Sequence, residues 1–541
     1  MGSTNKKMKK ANKKMEKDNK KMKNANKLQD RLIGFDDADD FVRLREVFDQ
    51  ANYTEAGIKA FLGVKVPSNP IALEVPPFIL PKVGDSPLET LIRLFFLNIP
   101  VTLETMRSVL HSMKLVQWCD AGLVVLKNNS VQPLIRILPY NDLLLACDIT
   151  RTANGNAPDD QVMNISGSTL ALANATIRRP VRRTLDLDTG CGIKAFLAAN
   201  HSEKVSAVDR NPRAISFATF NAQLNGLKNV DFFTGDLFYP VQGNKFDLIV
   251  MNPLFVISPE LHAQYRDSGM HQDQFCRETV RRATDFLEEG GNFQMICSWL
   301  HIADQPWQDR LAEWFDGINS DVWVMRTGIW SPSDYTLLWN RSKASQPDFG
   351  QVYEKWMAYY QEQRIEAIST GMITLRKTSG RAGWFRCSDR PKESRGSLGN
   401  DILSTFDAND FLESEGDDQG LMNTRFLCAP DIRLEQQFEP SDQGWRVVAA
   451  QLSRTRGLCY SGRVNADIAG LLPAFNGQRR LGDMLNELAV RRNVALENIT
   501  PAYLTVLRSL ISRGFLFPVG FNSETKPRAP EALQEAEPAL T

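Results

Sequence analysis

The stretch "LDLDTGCGIKAFLAA", residues 185–199, reads as a strand end, a glycine turn and the start of a helix. Gly190 and Gly192 let the backbone turn sharply and approach a ligand closely. An acid at a strand end, then glycines, then a helix is how a doubly wound α/β sheet holds a nucleotide-like ligand at its carboxyl edge. One glycine turn says little by itself, but this one has ordered partners. "VSAVDR" places Asp209 at the end of the next strand, and an acid there can accept both hydroxyls of a ribose. "VDFFTGD" places Asp236 at the end of a third, and "FDLIVMN" places Asn252 at the end of a fourth. "GGNFQMICSWL" (290–300) and "SDVWVMRTG" (320–328) continue the series, with helical stretches between the strands. Alternation of strand and helix over about 160–380 predicts an α/β fold with a largely parallel sheet.

Outward from this core the pattern changes. Ser86-Pro87-Leu88-Glu89 predicts a capped helix start with proline at the first helical position. Thr102 to Met113 reads as a second helix. Gly122 to Leu126 and Val131 to Leu138, joined through Asn128-Asn129, read as a hairpin. Helix, helix and wing predict a mostly helical, winged-helix-like domain over 31–150. Arg107 and Lys114 are the only cations on its candidate recognition helix, which favours packing or substrate presentation over nucleic-acid binding. The core is expected over 151–385. Residues 386–440, rich in Asp, Ser, Glu and Gly, are expected as a variable, partly mobile insertion. Residues 441–520 are expected as a second winged-helix-like domain and 521–541 as a disordered tail.

The chain holds 541 residues, enough for three or four domains, with 64 basic and 64 acidic side chains. That balance hides an asymmetry. Residues 1–30 carry eleven lysines against Glu16, Asp18 and Asp30, so this segment contributes about +8. Met8, Met15 and Met22 recur at heptad spacing, but the stripe is too thin for a stable coiled coil. The segment reads as a basic arm for phosphates or as a solvated tail. No apolar run reaches membrane-spanning length, and no signal-peptide core stands at the N-terminus, so a cytoplasmic protein is expected. The eight cysteines form no C-x-x-C and the five histidines no H-E-x-x-H, so neither a disulfide framework nor a metal is expected. Five tryptophans (299, 307, 314, 323 and 330) suit core packing more than base stacking.

Taken together, Asp186, the Gly190–Gly192 turn, Asp209, Asp236 and "NPLF" at 252–255 resemble class I S-adenosylmethionine-dependent methyltransferases. The resemblance is to the branch with an Asn-Pro-Pro-Tyr/Phe motif and a Rossmann-like core, and it covers roughly 160–380. It implies S-adenosylmethionine as cofactor, with Asp186, Gly190 and Gly192 at its methionine part. Asp209 would lie at the ribose and Asp236 at the adenine, with Leu237 and Phe238 against the ring. It also implies methylation of a nitrogen attached to a planar group. The Asn252 side-chain oxygen and the Pro253 carbonyl would accept its N–H hydrogens, and Phe255 would stack on the plane. A dehydrogenase reading survives formally as G-x-G-x-x-A through Ala195, but does not explain Asn252-Pro253.

Two residues depart from the pattern. Leu254 stands at the second proline, which removes rigidity but keeps both acceptors. Asp188 stands at the first glycine, where its charge would repel the cofactor's carboxylate or attract its ammonium. Beyond the motif, Tyr265, Arg266 and Asp267 are candidates for shaping a target pocket or binding a phosphate. The expected substrate is an exocyclic amine of a nucleic-acid base, RNA before DNA. The alternatives are a glutamine side chain in a translation factor, and a weakened or inactive methyltransferase fold that only binds a partner.

Overall fold

The structure, a computed structural model, describes residues 33–62, 84–149, 160–253, 255–259, 272–341, 344, 346–442 and 444–520. The Lys-rich segment, the tail, Leu254 and the Tyr265–Asp267 stretch lie outside these, so the expectations for them are not addressed. The chain divides into two compact units. One comprises residues up to 170, 180–322 and 328–383; the other comprises 171–179, 323–327 and 384 onward.

The main sheet is built from the six expected runs, β1 (Val181–Leu187), β2 (Ser202–Asp209), β3 (Val230–Thr234), β4 (Phe246–Met251), β5 (Leu287–Ile302) and β6 (Ser320–Trp330), and from one that the sequence did not single out, β7 (Ile365–Lys377). Their order is β6-β7-β5-β4-β1-β2-β3. β1 pairs in parallel with β2 and β4, β2 with β3, and β4 with β5. β7 runs antiparallel to β5, from Asn292↔Arg376 to Ile302↔Ile365. β4 reads as a near-continuous apolar run because both its faces are covered: Leu248, Ile249, Val250 and Met251 are all buried, as are Leu185 and Leu187 of β1 beside it. The chain steps from β1 outward to β2 and β3, then returns to place β4 on the other side of β1. That reversal opens a crevice beyond the carboxyl ends of β1 and β4, the usual ligand site of such sheets.

Helices α1 (Gly167–Ala175), α2 (Ile193–Ala199), α3 (Pro212–Leu224) and α4 (Gln274–Phe286) connect these strands. Two further helices, α5 (Pro332–Asn340) and α6 (Phe349–Glu362), precede β7 and carry the buried Tyr335, Trp356 and Tyr360. Among the five tryptophans, Trp299, Trp314 and Trp323 are buried core residues.

The N-terminal flank is mixed α/β rather than mostly helical. Ser86 and Glu89 form the expected capping box with Pro87 at the helix start. The expected hairpin is present as Val124–Lys127 against Ser130–Pro133, turning through Asn128 and Asn129, both left-handed. It stops at Pro133. Residues beyond it form a second hairpin, Ile135–Tyr140 with Leu143–Asp148, which the single apolar run disguised. The expected helix from Thr102 to Met113 shrinks to Leu103–Met106 and a short 3-10 turn.

This flank locks onto α3. Asn221 Oδ1 accepts from Ala146 N–H at 2.7 Å, and its amide donates to Ala146 C=O at 2.9 Å. Asn225, one turn on, holds Leu144 in the same two-way fashion. Arg213 pairs with Asp148, and Phe35, Phe41 and Phe220 form an aromatic cluster.

In the second unit, residues 386–440 form helices and strands grouped with those of 441–520. Gly399–Ser414 is a helix that buries Ile402, Leu403, Phe406 and Phe411. Its acidic and serine-rich exposed face hides the apolar spacing. Asp401 and Asp431 clasp the buried Arg454 at 3.1 and 2.9 Å. Helices Leu481–Arg492 and Leu496–Ser512 pack with a small sheet of Asn476–Arg480, Arg425–Cys428 and Leu516–Pro518. A second three-stranded sheet comprises Ile432–Ser441, Gly444–Arg454 and Ser461–Val464, so this flank too is mixed α/β.

Candidate active site

The Gly190–Gly192 turn is held open by its own side chains. Gly192 has a left-handed φ of 94°, and a Cβ there would strike the Phe196 ring, so glycine is required. Gly190 is also left-handed, and a Cβ built on it meets nothing within 4 Å, leaving room beside the turn. The Cys191 carbonyl accepts from the Asn221 amide at 2.9 Å, which ties the turn to α3.

The acids sit at the strand ends as expected, but their roles divide. Asp186 is wholly buried. Its Oδ2 accepts from Thr189 Oγ1–H at 2.6 Å and from Ala195 N–H at 3.0 Å, and its Oδ1 pairs with Lys194 Nζ at 3.1 Å. Lys194 also donates to the Asp188 carbonyl at 2.9 Å. Asp186 therefore builds the turn, instead of reaching toward a ligand as the resemblance implied. Asp209 is half-buried; Oδ2 accepts from Gly190 N–H and Oδ1 from Asn211 N–H, both at 2.9 Å. Each of its oxygens keeps a second lone pair, enough for ribose hydroxyls. Burial pushes the carboxyls of Asp186 and Asp209 above the usual range.

Asp236 is exposed just beyond β3. Leu237 beside it holds a φ of 45°, uncommon for a branched residue and the kind of backbone outlier that clusters at ligand sites. Phe238 does not line this edge. It is fully buried and stacks on Phe286 at 4.5 Å, with the Arg282 guanidinium near its ring. The expectation that it faces an adenine is thus corrected: its apolar ring fills the core beneath the loop.

Asn252 follows β4 directly. Its amide Nδ2 donates to Ser168 Oγ at 3.1 Å and Thr169 Oγ1 at 3.0 Å, while its Oδ1 has no hydrogen-bond partner among the described residues. The two hydroxyls belong to a cluster with Ser166, which caps α1 by accepting from Thr169 N–H. Both contacts fall on the nitrogen end of the amide, so among the described residues the oxygen end is left uncommitted. Ser168 and Thr169 are site residues that the sequence reading missed; hydroxyls 83 and 84 positions upstream carry no motif.

Pro253 is buried, and Phe255 is half-buried with its ring edge-on to Trp339 at 6.0 Å. The peptide of Ile257 is gripped from both sides. Its N–H donates to Tyr335 Oη at 3.3 Å, and its carbonyl accepts from Tyr360 O–H at 2.8 Å. These tyrosines, from α5 and α6, also escaped sequence reading.

The site thus gathers spare acceptors at two strand ends, Asp209 and Asn252, beside a turn with room for a ligand. Room at Gly190, spare acceptor capacity on Asp209 and a free carboxylate on Asp188 fit a nucleoside that carries an amino-acid arm. Among the described residues no group of three His, Cys, Asp or Glu could hold a metal ion. Among them, too, no helix is long and apolar enough to cross a membrane.

Residues 165–319 match the family model described as methyltransferase small domain. Two further models, each described as a domain of unknown function, match 50–134 and 404–518. A ribosomal protein uL3 glutamine methyltransferase of Bradyrhizobium diazoefficiens is 33% identical over 155 residues, 26% of this chain and 49% of the relative. A release factor glutamine methyltransferase of Escherichia coli is 38% identical over 87 residues, 16% of this chain and 31% of the relative. The chain therefore spans half or less of the length of these curated relatives. Among solved structures, a methyltransferase of Thiobacillus denitrificans in complex with S-adenosyl-L-homocysteine is similar over 42% of this chain and 94% of its own. Its identity is 16% and its TM-score 0.23.

Proposed function

We propose that this chain, whose core is an S-adenosylmethionine-dependent class I methyltransferase domain, methylates the side-chain amide nitrogen of a glutamine in a protein. The observation that carries the reading is Asn252, with its nitrogen end against two hydroxyls and its Oδ1 without a partner among the described residues. The two relatives above, both glutamine methyltransferases, favour an amide over the nucleic-acid base expected from the sequence.

An amide nitrogen is a poor nucleophile because its lone pair is delocalised into the carbonyl. The cofactor, when bound, supplies a methyl group on a sulfonium, which is electrophilic without acid assistance. The chain's part is to hold the nitrogen. Asn252 Oδ1 accepts one N–H hydrogen and the Pro253 carbonyl the other, which favours a lone pair directed away from the amide plane. Phe255 offers an apolar face for the planar group. These bonds strengthen as positive charge develops on the nitrogen, so they bind the transition state better than the ground state. The rest is orientation. A leucine at 254 leaves both acceptors in the sequence.

The test incubates the purified protein and methyl-labelled S-adenosylmethionine with separate protein, RNA and DNA fractions. Label in protein, mapped to glutamine by mass spectrometry of digests, is the expected result. Asn252→Ala lowers it by about 100-fold or more. Label confined to RNA or DNA would restore the base-methylating reading, and no label in any fraction would favour the binding-protein alternative.

A further inference from the structure

We propose that Asp188, and not Asp186, is the residue that receives the α-ammonium group of the bound cofactor. This rests on the cofactor reading given above and deepens it.

The argument begins with what Asp186 has left to offer. Its oxygens are engaged with Thr189, Ala195 and Lys194, all within the turn, and its side chain is wholly buried. Lys194 is itself only 5% exposed. Acid and lysine make a buried ion pair, and breaking such a pair leaves an uncompensated buried charge. A ligand ammonium at Asp186 would have to displace Lys194.

Asp188 is the reverse case. It is half-buried, with φ at 51° in the left-handed region. Aspartate tolerates that region better than most residues. Its backbone carbonyl is taken by Lys194, but its carboxylate makes no hydrogen bond or ion pair among the described residues. The charged groups facing it are Asp209, Lys194, Arg210 and Asp186. Burial, then the neighbouring Asp209 carboxylate, push the Asp188 carboxyl up to about 7. The turn thus presents a carboxylate short of a positive partner, two residues from the open space at Gly190. An ammonium arriving there relieves both the repulsion from Asp209 and the missing partner. What looks in the sequence like a defect in the glycine pattern becomes a cation site.

Protonation gives the sign. Because its carboxyl is raised in the folded protein, Asp188 is largely neutral well below pH 7 and ionised above it. The ammonium favours the ionised form, so binding tightens as pH rises from about 6 to about 7.5, with release of a proton.

Calorimetric titration tests this with two ligands, S-adenosylmethionine and methylthioadenosine, which lacks the amino-acid arm. Asp188→Asn keeps the size and tolerates the left-handed backbone. At about pH 7.5 the variant is expected to bind S-adenosylmethionine about tenfold more weakly than the wild type, with methylthioadenosine unchanged. Its affinity for S-adenosylmethionine should also lose the rise with pH. Equal or tighter binding of S-adenosylmethionine by Asp188→Asn, with methylthioadenosine still bound, would overturn the assignment and leave the cofactor reading intact. Failure of the wild type to bind either ligand would overturn the cofactor reading, and this proposal with it.

Discussion

At the scale of single residues, the site turns on the orientation of one amide. On the proposed function Asn252 presents its oxygen to the substrate amide, and Ser168 and Thr169 hold its nitrogen end. They act through Asn252, so they are positioning residues. Ser168→Ala with Thr169→Val leaves the amide free to flip. The expected outcome is a fall in kcat of about tenfold with little change in KM, because an interaction used mainly in the transition state is weakened. Thr169→Ser should restore most of the rate, whereas a role confined to packing would not be rescued by the smaller hydroxyl. Equal loss in kcat and thermal stability, with no rescue, would count against the clamp. Asn252, Pro253 and Phe255 were legible in the sequence because they stand together at one strand end. The clamp was not, because hydroxyls have no pattern of their own and only the fold brings them near β4. Asp188 was visible as a departure, but its sense was not, since that depends on how Lys194 has already spent itself on Asp186.

At the scale of elements, β4 was readable because a strand buried on both faces gives an apolar run that ends abruptly in polar residues, and β1 to β3 because each leads into an acid at or just past its end. Connections between elements left fainter traces. Tyr335 and Tyr360, on α5 and α6, grip the Ile257 peptide just past the motif, yet in the sequence they are two aromatics in amphipathic helices. Asn221 and Asn225 sit one turn apart on α3 and act as a strand would, reading the backbone of Leu143–Asp148. Asn221 also reaches Cys191, so one buried side chain joins the N-terminal flank to the Gly190–Gly192 turn. Asn221→Ala removes three hydrogen bonds and strands their buried backbone partners. A loss of about 2–4 kcal/mol is expected, measured by urea unfolding. Asn225→Ala, which lacks the contact with Cys191, should destabilise without the extra effect predicted for Asn221→Ala: S-adenosylmethionine affinity reduced about tenfold in variants that remain folded. Identical affinities for the two variants would mean that the turn does not depend on α3.

At the scale of the whole chain, the apolar cores fall into separate sets. One, running from Phe41 to Val230, joins the N-terminal flank to the helices around β1 and β2. Another, from Ala408 to Leu516, lies wholly in the second unit and includes Leu485, Leu504, Leu507 and Ile511, all essentially inaccessible. The composition of 386–440 masked this second core, since acids and serines alternate with the buried apolar residues along Gly399–Ser414. Every residue assigned to the cofactor or the substrate nitrogen, from Asp186 to Phe255, belongs to the first unit. A ligand that binds only there stabilises only what unfolds with it. Scanning calorimetry should therefore resolve two transitions. S-adenosylhomocysteine at about 100 times its dissociation constant should stabilise the first unit by about 2.7 kcal/mol and raise that transition alone. Leu507→Ala should lower the other by the cost of a core cavity, about 2–5 kcal/mol, and leave the ligand-dependent transition in place. If both treatments moved one shared transition, the two units would unfold together, and the second would contribute directly to the stability of the catalytic one.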